Sequence, residues 1–588
     1  MPPTPRAVID PFDVAAALAL ERELGVSAPL AQTLVRRGLA EPAAARAWLL
    51  AEDAHPPEAM AGLTAACAVI LGHVGARHRI TVHGDYDVDG VCSTAILVGA
   101  LRRLGARVDW YLPSRAEDGY GLSQTTVRRL AERGTRLLVA VDCGVTAVAE
   151  VAAARAAGLD VVVCDHHSPR ADGALPDAPL VHPALGGYPC PVLCAAGVAH
   201  KVAAGLLAAA GRDPAEAEAD LDLVALATVA DCVPLVGENR RLVRQGLRAL
   251  ATTRRPGLRA LMAVARVDPA RVDARAVGFR LAPRLNAAGR LHRADAALEL
   301  LMTDDAARAE AVATELDAAN ADRRHVETRI LFEAEAQVRE AGERSAYVLA
   351  GEGWHRGVIG IVASRIAERH HRPCVLVALD GERGTGSGRS IPAFDLLAGL
   401  DAAAAHLERH GGHRAAAGCE VRRDELDAFR AAFEAHAAAV LRPDDLVPTE
   451  RVDAVVAGDE LGAGLAEELE RLAPFGAGNP EVRLLVPAAR LEDPRPMGEG
   501  KHLRLALRAG GRTARAVAFG TTAIEAHRPV DATVSLELHE WGGAVEPRLV
   551  LRHARPCAPP PVEVLGEDDF LSAALAELAV PLDDLAGA

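Results

Sequence analysis

Three aspartates lie within five residues of one another, at Asp85, Asp87 and Asp89, and a histidine, His83, stands just ahead of them. The segment follows a short run of β-branched residues, which predicts that it begins where a strand ends. Three carboxylates this close repel one another unless cations hold them. Carboxylates combined with an imidazole suit Mn²⁺ or Mg²⁺ better than a thiolate-bound metal. The spacing therefore predicts a divalent-metal site.

Three further groups of acidic and histidine residues have the same placement in the sequence. Each comes directly after a run of aliphatic residues that we interpret as a buried strand: Asp142, Asp165-His166-His167 and Asp231. A single aspartate after a strand is often only the cap of the next helix, and a lone histidine pair is more often structural. Four such groups together favour a metal centre. Paired divalent ions about 3.5–4 Å apart are a recurring solution for phosphoryl chemistry.

The elements that would position these groups alternate between strands and helices from about residue 63 onward. The predicted strands are 79–82, 107–112, 137–141 and 160–164, and the predicted helices are 91–104, 124–133 and 147–157. Aliphatic strands that are each followed by a helix indicate a doubly wound parallel sheet covered on both faces. In such a sheet the active site forms beyond the carboxyl ends of the strands, which is where the acidic groups lie.

The rest of the chain predicts a multidomain α/β protein. Residues 303–344 contain no proline, and no glycine before Gly342, and they predict one long helix or two. The region 452–557 carries short alternating strands, which are typical of a small OB-like β-barrel. The expected domains are an N-terminal helical segment (1–60), the domain with the metal site (61–302), a helical linker (303–344), a second α/β domain (345–442), a C-terminal β-barrel (449–557) and a tail (558–588).

The formal net charge of −15 by itself argues against a nucleic-acid partner. Net charge describes the average surface, however, and cations bound at an acidic cluster would reverse the charge locally. No run of about eighteen apolar residues predicts a membrane span, and the N-terminus does not resemble a signal peptide. Ten cysteines without paired zinc-type spacings fit the reduced thiols of a cytosolic protein. We expect a cytoplasmic monomer with no membrane partner.

Several basic or glycine-rich segments offer groups suited to phosphate. Glycine lets the backbone approach an anion closely, and consecutive backbone N–H groups form an anion-binding concavity. Each segment is weak evidence alone, because glycine-rich turns are usually only turns. Arg389 is the strongest candidate, since two glycines and two serines share its short segment. The candidates are Arg115, Arg284, Asn286, Arg290, Ser387, Arg389, Ser390 and His413.

The four acidic groups match the motifs of a known family in order and spacing. Through HGDYDVDG, VDCGV, CDHH and LATVAD the chain resembles the DHH phosphoesterases, and within them the bacterial exonucleases of single-stranded DNA. The resemblance covers nearly the whole chain. The ligands that it implies are His83, Asp87 and Asp142 for one metal, and Asp89, Asp142, His166 and Asp231 for the other. It also implies that Asp85 assists, and that Asp165 and His167 orient the ligands or contact phosphate.

The resemblance further implies how DNA is gripped. The segments 354–363, 386–390 and 411–418 are similar to the DHH-associated domain, which closes a narrow channel over the metals and so excludes duplex. The segments around 474–480 and Trp541 are similar to the OB domain of these exonucleases, and OB folds bind single strands through stacking. The implied phosphate contacts are Arg115, Ser387 and Arg389 near the 5′ end of the strand, and Arg290 and His413 near the scissile group.

The expected activity is therefore 5′→3′ removal of 5′-mononucleotides from single-stranded DNA, by two-metal hydrolysis with Mn²⁺ or Mg²⁺, in DNA recombination and repair. A RecQ-type helicase and a single-strand-binding protein are the expected partners. One alternative is a phosphoesterase for small substrates such as cyclic dinucleotides, but it would not need the barrel or the linker helix. The other is a catalytically inactive binding protein, which would be expected to lose metal ligands that are all present here.

Overall fold

The computed structural model describes residues 5–114, 121–291, 294–524, 528–541 and 544–557. The chain divides into two compact units, Met1–Arg451 with Glu468–Val482, and Val452–Glu467 with Arg483–Ala588. The chain thus passes into the second unit after Arg451, returns to the first unit for Glu468–Val482, and then continues in the second unit. None of the described helices has the length and hydropathy that a membrane crossing requires.

The chain begins with a short strand followed by three helices. These elements are β1 (Arg6–Val8), α1 (Val14–Leu24), α2 (Ala28–Arg36) and α3 (Pro42–Leu50). The sequence predicts short helices here, but it does not predict the strand. Strand β1 pairs in parallel with Thr449–Arg451, more than 400 residues further along the chain. Three residues are too few for a periodic pattern, so only the fold reveals this pairing.

A parallel sheet forms the centre of the first domain. Its strands are β2 (Arg79–His83), β3 (Arg107–Tyr111), β4 (Leu137–Val141), β5 (Asp160–Cys164) and β6 (Leu180–Val181), and its first helices are α4 (Leu63–Gly75), α5 (Val88–Arg103), α6 (Gln124–Glu132), α7 (Val148–Ala156) and α8 (Ala195–Ala209). The strands run in the order β3-β2-β4-β5-β6. Alternate residues of β4 enter opposite cores, with Val139 packed among α4, α5 and α8 and Leu138 among α6 and α7. The expected doubly wound sheet is confirmed.

Further helices complete this domain. They are α9 (Leu221–Ala230), α10 (Gly237–Ala251), α11 (Pro256–Val264), α12 (Ala274–Ala276), α13 (Ala282–Leu291) and α14 (Asp295–Met302), with a π-helical segment at Val277–Leu281. The expectation that the run 224–230 is a strand ending at Asp231 is wrong, because this run is the body of α9. A fully buried helix and a fully buried strand have the same continuous apolar sequence, so periodicity does not separate them.

The expected linker is one helix, α15 (Ala306–Ala341), and a second α/β domain follows it. Its elements are β7 (Tyr347–Glu352), α16 (Ile359–His370), β8 (Cys374–Asp380), β9 (Arg383–Arg389), α17 (Leu396–Ala402), β10 (Arg409–Gly412), β11 (Ala416–Arg422), α18 (Leu426–Val440) and β12 (Thr449–Arg451). The sheet order is β10-β11-β9-β8-β7, with only β7 and β8 parallel. Helices α15 and α16 pack on one face, and α17 and α18 pack on the other.

The glycine-rich segment at 386–390 is not the phosphate-binding turn that the sequence predicts. Residues 383–389 form β9, whose backbone is paired with β8 on one side and β11 on the other. Its glycines are required by packing: a Cβ at Gly386 would lie 2.4 Å from the Sγ of Cys419, and a Cβ at Gly388 would lie 3.0 Å from Leu396. Any anion bound here must therefore be held by side chains, because the backbone N–H groups serve the sheet.

The second unit is built on a closed barrel. Its elements are β13 (Ala454–Val455), α19 (Ala463–Glu470), β14 (Leu484–Met497), β15 (His502–Ala509), β16 (Arg512–Ala518), β17 (Pro529–Trp541) and β18 (Ala544–Pro556), of which α19 runs on into the first unit. The ring order is β14-β15-β16-β18-β17, and pairing of β14 with β17 closes it. Only β16 and β18 are parallel within the ring. The expected OB-like barrel is confirmed, whereas α19 is not predicted from the sequence.

The segment 468–482 packs in the first unit although the sequence places it inside the barrel interval. The Nη1 of Arg240, on α10, donates to the carbonyl of Leu472 at 2.7 Å. The Nη1 of Arg37 donates to the Oδ1 of Asn479 at 2.6 Å. Backbone carbonyls and an amide of this segment are thus satisfied by arginines of the N-terminal helices and of α10, which fixes it against the larger unit.

Candidate metal centre

The acidic groups converge at the carboxyl edge of the parallel sheet. His83 is the last residue of β2, Asp142 follows β4 and Asp165 follows β5, and these three strands are neighbours. Asp231 comes from another kind of element, since it is the C-cap of α9. Helix α9 packs against α5, the helix that begins within the HGDYDVDG motif. A helix end therefore supplies the fourth group where we expected a strand end.

Asp87 and Asp89 are held by backbone N–H groups at the starts of two helices. Asp87 is the N-cap of α5, and its Oδ1 accepts hydrogen bonds from the backbone of Asp89 at 3.0 Å and of Gly90 at 3.1 Å. The carboxylate of Asp89 accepts from the backbone of Ala195 at 2.7 Å and of Ala196 at 2.8 Å, at the start of α8. Helix N-termini favour negative charge. Both carboxylates are therefore oriented by the protein itself.

Asp142 and His166 lie at the centre of the cluster. Asp142 is 2% exposed and has a left-handed backbone, with φ of 59°, a strained conformation that recurs at functional sites. The Nε2 of His166 is 3.3 Å from the Oδ1 of Asp142, and 3.7 Å from an oxygen of Asp89 and of Asp231. Among the residues that the structure describes, ligand atoms within 4.8 Å of one another form three groups: Asp85-Asp87-Asp142, Asp89-His166-Asp231 and Asp142-His166-His167. Asp142 and His166 each belong to two of them.

Burial and mutual repulsion raise the pKa values of these carboxyls. Burial, followed by the charge of Asp87, raises the pKa of Asp89 to about 7. Burial, followed by the charges of Asp89 and Asp87, raises the pKa of Asp231 to about 8. The same causes raise the pKa of Asp142 well above its usual range. Such carboxyls retain protons near neutral pH until cations replace them, so the cluster is suited to exchange protons for divalent metal.

The state of His166 also fits a metal ligand. Burial, with a contribution from the charge of His167, lowers the pKa of His166 to about 4, which keeps the imidazole neutral. Neutral imidazole is the form that binds metal. Its Nε2 is buried and has no hydrogen-bond partner among the described residues. A buried nitrogen of this kind, facing carboxylate oxygens, matches the hard O and N donor set of Mn²⁺ or Mg²⁺.

Asp165 organises the two histidines that follow it. Its Oδ1 accepts from the backbone of His166 at 2.8 Å and of His167 at 3.2 Å, and it is 2.8 Å from the Nδ1 of His167. Burial acts to raise the pKa of Asp165, but hydrogen bonds from His167 and Val145 outweigh it and lower the pKa to about 2. Burial acts to lower the pKa of His167, but the bond to Asp165 outweighs it and raises the pKa. The pair therefore favours a charged imidazolium beside the cluster.

His83 lies outside the three ligand groups, although the resemblance implies that it binds metal. Its buried ring lies 5.4 Å, between centroids, from the ring of Tyr111, and its Nδ1 is 3.7 Å from the Sγ of Cys143. Asp85 instead joins Asp87 and Asp142. The residues brought together thus differ from the implied ligands in two respects: Asp85 takes the place of His83, and His167 joins Asp142 and His166.

A groove of about 1000 Å³ is lined by α13, α15 and α16 and includes Ala230, the neighbour of Asp231. Helix α13 touches the metal loop directly, because the Oδ1 of Asn286 accepts from the backbone of Val88 at 3.1 Å. The Nη1 of Arg290 donates to the carbonyl of Gly357 at 3.0 Å, which joins the first domain to the second. Four of the expected phosphate contacts line this groove: Arg284, Asn286, Arg290 and Arg389.

The remaining phosphate candidates have different surroundings. The Oγ of Ser387 accepts from the Nη1 of Arg389 at 3.3 Å, so these two side chains lie together. The hydroxyl of Ser390 donates to the carbonyl of Phe394 at 2.8 Å. His413 is exposed in the hairpin between β10 and β11. Arg115 and the side chain of Trp541 lie outside the described residues.

Sequence reasoning missed the start of α8 as the anchor of Asp89. The available signal is the run Cys194-Ala195-Ala196-Gly197, whose small side chains leave room for a carboxylate against the first N–H groups of the helix. A small-residue run has many other causes, so it identifies the contact only once the fold is known.

Three family models match the regions described above. The model for the DHH family, N-terminal domain, matches residues 79–228, the DHHA1 domain matches 343–439, and the RecJ OB domain matches 452–553. The fold and the metal cluster therefore define a DHH-type protein with its associated DHHA1 domain.

Relatives that match along most of the chain show which family of DHH-type proteins it belongs to. The chain is 36% identical over 549 residues to the single-stranded-DNA-specific exonuclease RecJ of Bacillus subtilis, spanning 91% of this chain and 69% of that protein. It is 38% identical over 528 residues to the protein of the same name from Dickeya dadantii, spanning 84% and 91%. The chain belongs to the RecJ family.

Two solved structures of RecJ are similar to this chain over most of its length. The crystal structure of RecJ in complex with Mn²⁺ from Thermus thermophilus has a TM-score of 0.83 at 34% identity, covering 94% of this chain and 80% of that one. Its counterpart in complex with Mg²⁺ has a TM-score of 0.77 at 32% identity, covering 94% and 79%.

Proposed function

We propose that this chain is an exonuclease that hydrolyses single-stranded DNA to 5′-mononucleotides in the 5′→3′ direction, with two Mn²⁺ or Mg²⁺ ions, in recombination and repair. The observation that carries the proposal is that Asp142, whose carboxylate can bridge two ions, belongs to two ligand groups. Two neighbouring ions need ligands that lie between them. The relatives named above are single-strand-specific exonucleases, and the related Thermus structures contain Mn²⁺ or Mg²⁺.

The ligands divide into two sets. We assign Asp85, Asp87 and Asp142 to one ion, and Asp89, His166 and Asp231 to the other. The resemblance adds His83 to the first set and Asp142 to the second. When bound, the ions lower the pKa of a water and neutralise charge on the scissile phosphate. Burial of Asp85, Asp89 and Asp142 supports the assignment, since a dry site strengthens each electrostatic interaction with the phosphate.

The chain's own residues prepare this chemistry. The N-termini of α5 and α8 fix the carboxylates of Asp87 and Asp89, so little reorganisation is needed when phosphate enters. His167, held through Nδ1 by Asp165, would present its Nε2–H to a phosphate oxygen and stabilise the charge that develops there. The raised pKa of His167 supports this role, because the imidazolium donates a stronger hydrogen bond than neutral imidazole.

The 5′→3′ direction of degradation would be set by side chains that line the groove and bind the 5′ end of the strand. Arg389 and Ser387 lie together, and Arg389 lines the groove that contains Asn286. A planar guanidinium matches the oxygens of a terminal phosphate. We therefore assign the 5′ phosphate to Arg389 and Ser387, with Arg115 as a further contact, and the phosphates nearer the scissile bond to Arg290.

The proposed exonuclease activity also indicates which partners the protein has. Single-stranded DNA is the substrate, and a helicase that unwinds duplex, of the RecQ type, and a single-strand-binding protein would supply it. The OB-type barrel supports a polymer substrate, because such barrels track a strand over several nucleotides. A monomer suffices, since all ligands of the cluster come from one chain.

The test is degradation of 5′-labelled and 3′-labelled single-stranded DNA with Mn²⁺, beside blunt duplex. The variant is Asp142→Asn, because asparagine tolerates the left-handed backbone at this position. The matched control is Asp172→Asn, an exposed aspartate of the same domain. We expect labelled mononucleotide from the 5′ end only, in the wild type and the control but not in Asp142→Asn.

Two other outcomes would each replace the proposal. Cleavage of a cyclic dinucleotide or a short RNA, with DNA left intact, would indicate a small-substrate phosphoesterase. Retention of DNA without cleavage under either metal would indicate a binding protein. Release of label from the 3′ end first would retain the nuclease but reverse its direction.

A further inference from the structure

Phe279 is the most exposed of the large hydrophobic side chains among the described residues, with 80% of its surface accessible. The chain has nine phenylalanines in 588 residues, and Phe332 and Phe519, at 72% and 48%, are the other exposed ones among the described residues. Phe279 lies in the π-helical segment Val277–Leu281, directly before α13. Single π-helical turns recur at functional sites. Both exposure and backbone geometry therefore single out this ring.

The ring of Phe279 lies on the groove that includes the residue next to Asp231. Asn286, which bonds to the metal loop through Val88, lines the same groove seven residues further on. Seven residues of helix span about 10 Å. The exposed ring is thus set back from the metal loop, where a strand of several nucleotides would pass after its end has entered the centre.

Most arginines of this groove are already engaged by the protein. The pairs are Arg280 with the carbonyls of Ala265 and Arg266, Arg284 with Asp317, Arg323 with Glu327 and Asn320, and Arg365 with Glu327. Arg324 is exposed on α15, and no ion pair or hydrogen bond of its guanidinium is found within the described part of the chain. Among the described residues, the exposed guanidinium of Arg324 and the exposed ring of Phe279 therefore both line the groove, as does the exposed Arg266.

We propose that Phe279 and Arg324 form a nucleotide subsite, in which a base stacks on the ring and the guanidinium binds a backbone phosphate. The inference rests on the proposed function, since it places an internal nucleotide of the single strand at this point. Stacking on an aromatic ring accepts every base, as an enzyme that degrades any sequence requires. A guanidinium binds phosphate through paired N–H groups. The linker helix α15 is then part of the substrate path and not only a spacer.

The first measurement is the binding of a fluorescein-labelled oligodeoxythymidine to the full chain in EDTA, by fluorescence anisotropy. Phe279→Ala should weaken binding about 5- to 100-fold, which is the range for loss of one stacked base. Phe279→Trp should restore it, and Phe279→Leu should not. Phe332→Ala is the matched control, because Phe332 is 72% exposed on α15 and does not line the groove. Both positions are exposed, so neither change threatens folding.

A salt titration tests the phosphate contact separately. Arg324→Ala should reduce the slope of log affinity against log salt by about one, as loss of one phosphate contact does. The control is Arg339→Ala, which removes an exposed arginine from the same helix away from the groove. An unchanged slope in Arg324→Ala would overturn this half of the proposal.

An abasic scan identifies the base that stacks. Single strands that carry one abasic site at successive positions from the 5′ end should show one position at which wild-type affinity drops. In Phe279→Ala that drop should vanish, because the ring that it depends on is absent. The corresponding loss in turnover should appear in KM more than in kcat.

The outcomes separate this inference from the proposed function. If the wild-type protein binds DNA but does not cleave it, the proposed function fails. The subsite is then still tested by comparing the DNA affinities of wild type and Phe279→Ala. If Phe279→Ala binds as wild type does, or the abasic penalties are the same in both proteins, the ring contacts no base and the subsite is overturned. An exposed ring that serves a protein partner would give this second result.

Discussion

The Oδ2 of Asp89 lies 2.7 Å from the backbone nitrogen of Ala195, the first residue of α8. Asp89 also belongs to the ligand group that contains His166 and Asp231. One carboxylate therefore has two tasks, since it closes the N-terminus of a buried helix and faces the metal position. The orientation of a ligand of this kind is controlled by the groups behind it.

The substitution Ala195→Pro should weaken metal binding at least about tenfold. Proline is well tolerated at the first position of a helix, but its Cδ would replace the N–H that Asp89 accepts from. Mn²⁺ affinity is measured by calorimetry. Ala306→Pro is the control, because Ala306 begins α15 and the cap Asp305 accepts from the two following residues instead. Equal Mn²⁺ affinity in Ala195→Pro and wild type would show that the N–H does not orient Asp89.

The substitution Gly90→Ala should abolish Mn²⁺ binding at micromolar protein concentration. A Cβ at Gly90 would lie 2.5 Å from the backbone nitrogen of Asp85 and 2.6 Å from its Cα, so the metal loop would have to shift. Gly99→Ala is the matched control on the same helix, because its Cβ would meet only the side chain of Arg103, at 3.9 Å. That control should raise the free energy of unfolding by about 0.5–1 kcal/mol. Retained Mn²⁺ binding in Gly90→Ala would contradict the packing of this loop.

The stability of the metal-free chain should fall as pH rises. The pKa values of Asp89 and Asp231 are raised to about 7 and about 8, so the folded chain favours their protonated forms. This contribution is complete below the unfolded value of about 3.9 and is lost as pH rises through about 7 to 8. Mn²⁺ takes the place of the protons on these carboxyls. The increase in the Tm of the chain that Mn²⁺ causes should therefore be larger at pH 8.5 than at pH 6.0.

Thermal unfolding in EDTA and in Mn²⁺ at the two pH values checks this. Asp231→Asn should flatten the pH dependence of the EDTA series, because it removes one of the titrating carboxyls. A Tm in EDTA that rises between pH 6.0 and pH 8.5 would contradict the electrostatics of the cluster.

The substitution Arg389→Ala should remove the preference for a 5′-phosphorylated strand over a 5′-hydroxyl strand. The comparison is the ratio of kcat/KM for the two substrates, which should fall toward one. Arg383→Ala is the matched control, since Arg383 is an exposed arginine at the other end of β9. A ratio that falls equally in both variants would mean a general loss of positive charge and not a 5′-phosphate contact.

The sequence predicts the fold well where local pattern and packing agree. The strands β4 and β5 are continuous aliphatic runs buried on both faces, and α15 lacks glycine and proline throughout its 36 residues. Both are recognised by pattern alone. The helix at 221–230 is not, because a helix that is buried on every side loses the polar face that marks a helical period.

The site is predicted in its residue types but not in its backbone environment. Six of the seven expected metal ligands, all but His83, appear in the three ligand groups, and His167 appears there as well. The bonds that orient them, from Ala195 and Ala196 to Asp89 and from Val88 to Asn286, join parts of the chain that lie over one hundred residues apart. Contacts at this separation depend on tertiary packing and leave no local signal. For the same reason the sequence gives no indication that Phe279 is exposed on the groove.

The return of the chain to the first unit at Glu468–Val482 has a consequence for protein engineering. The barrel is in effect an insertion between Arg451 and Glu468, continued after Val482, and not a simple C-terminal extension. Truncation at residue 451 would delete the barrel together with the carbonyl that Arg240 bonds, leaving a buried guanidinium exposed to solvent or unsatisfied. A minimal catalytic fragment should instead join 451 to 468 through a short linker and end at 482, so that the larger unit keeps its own surface.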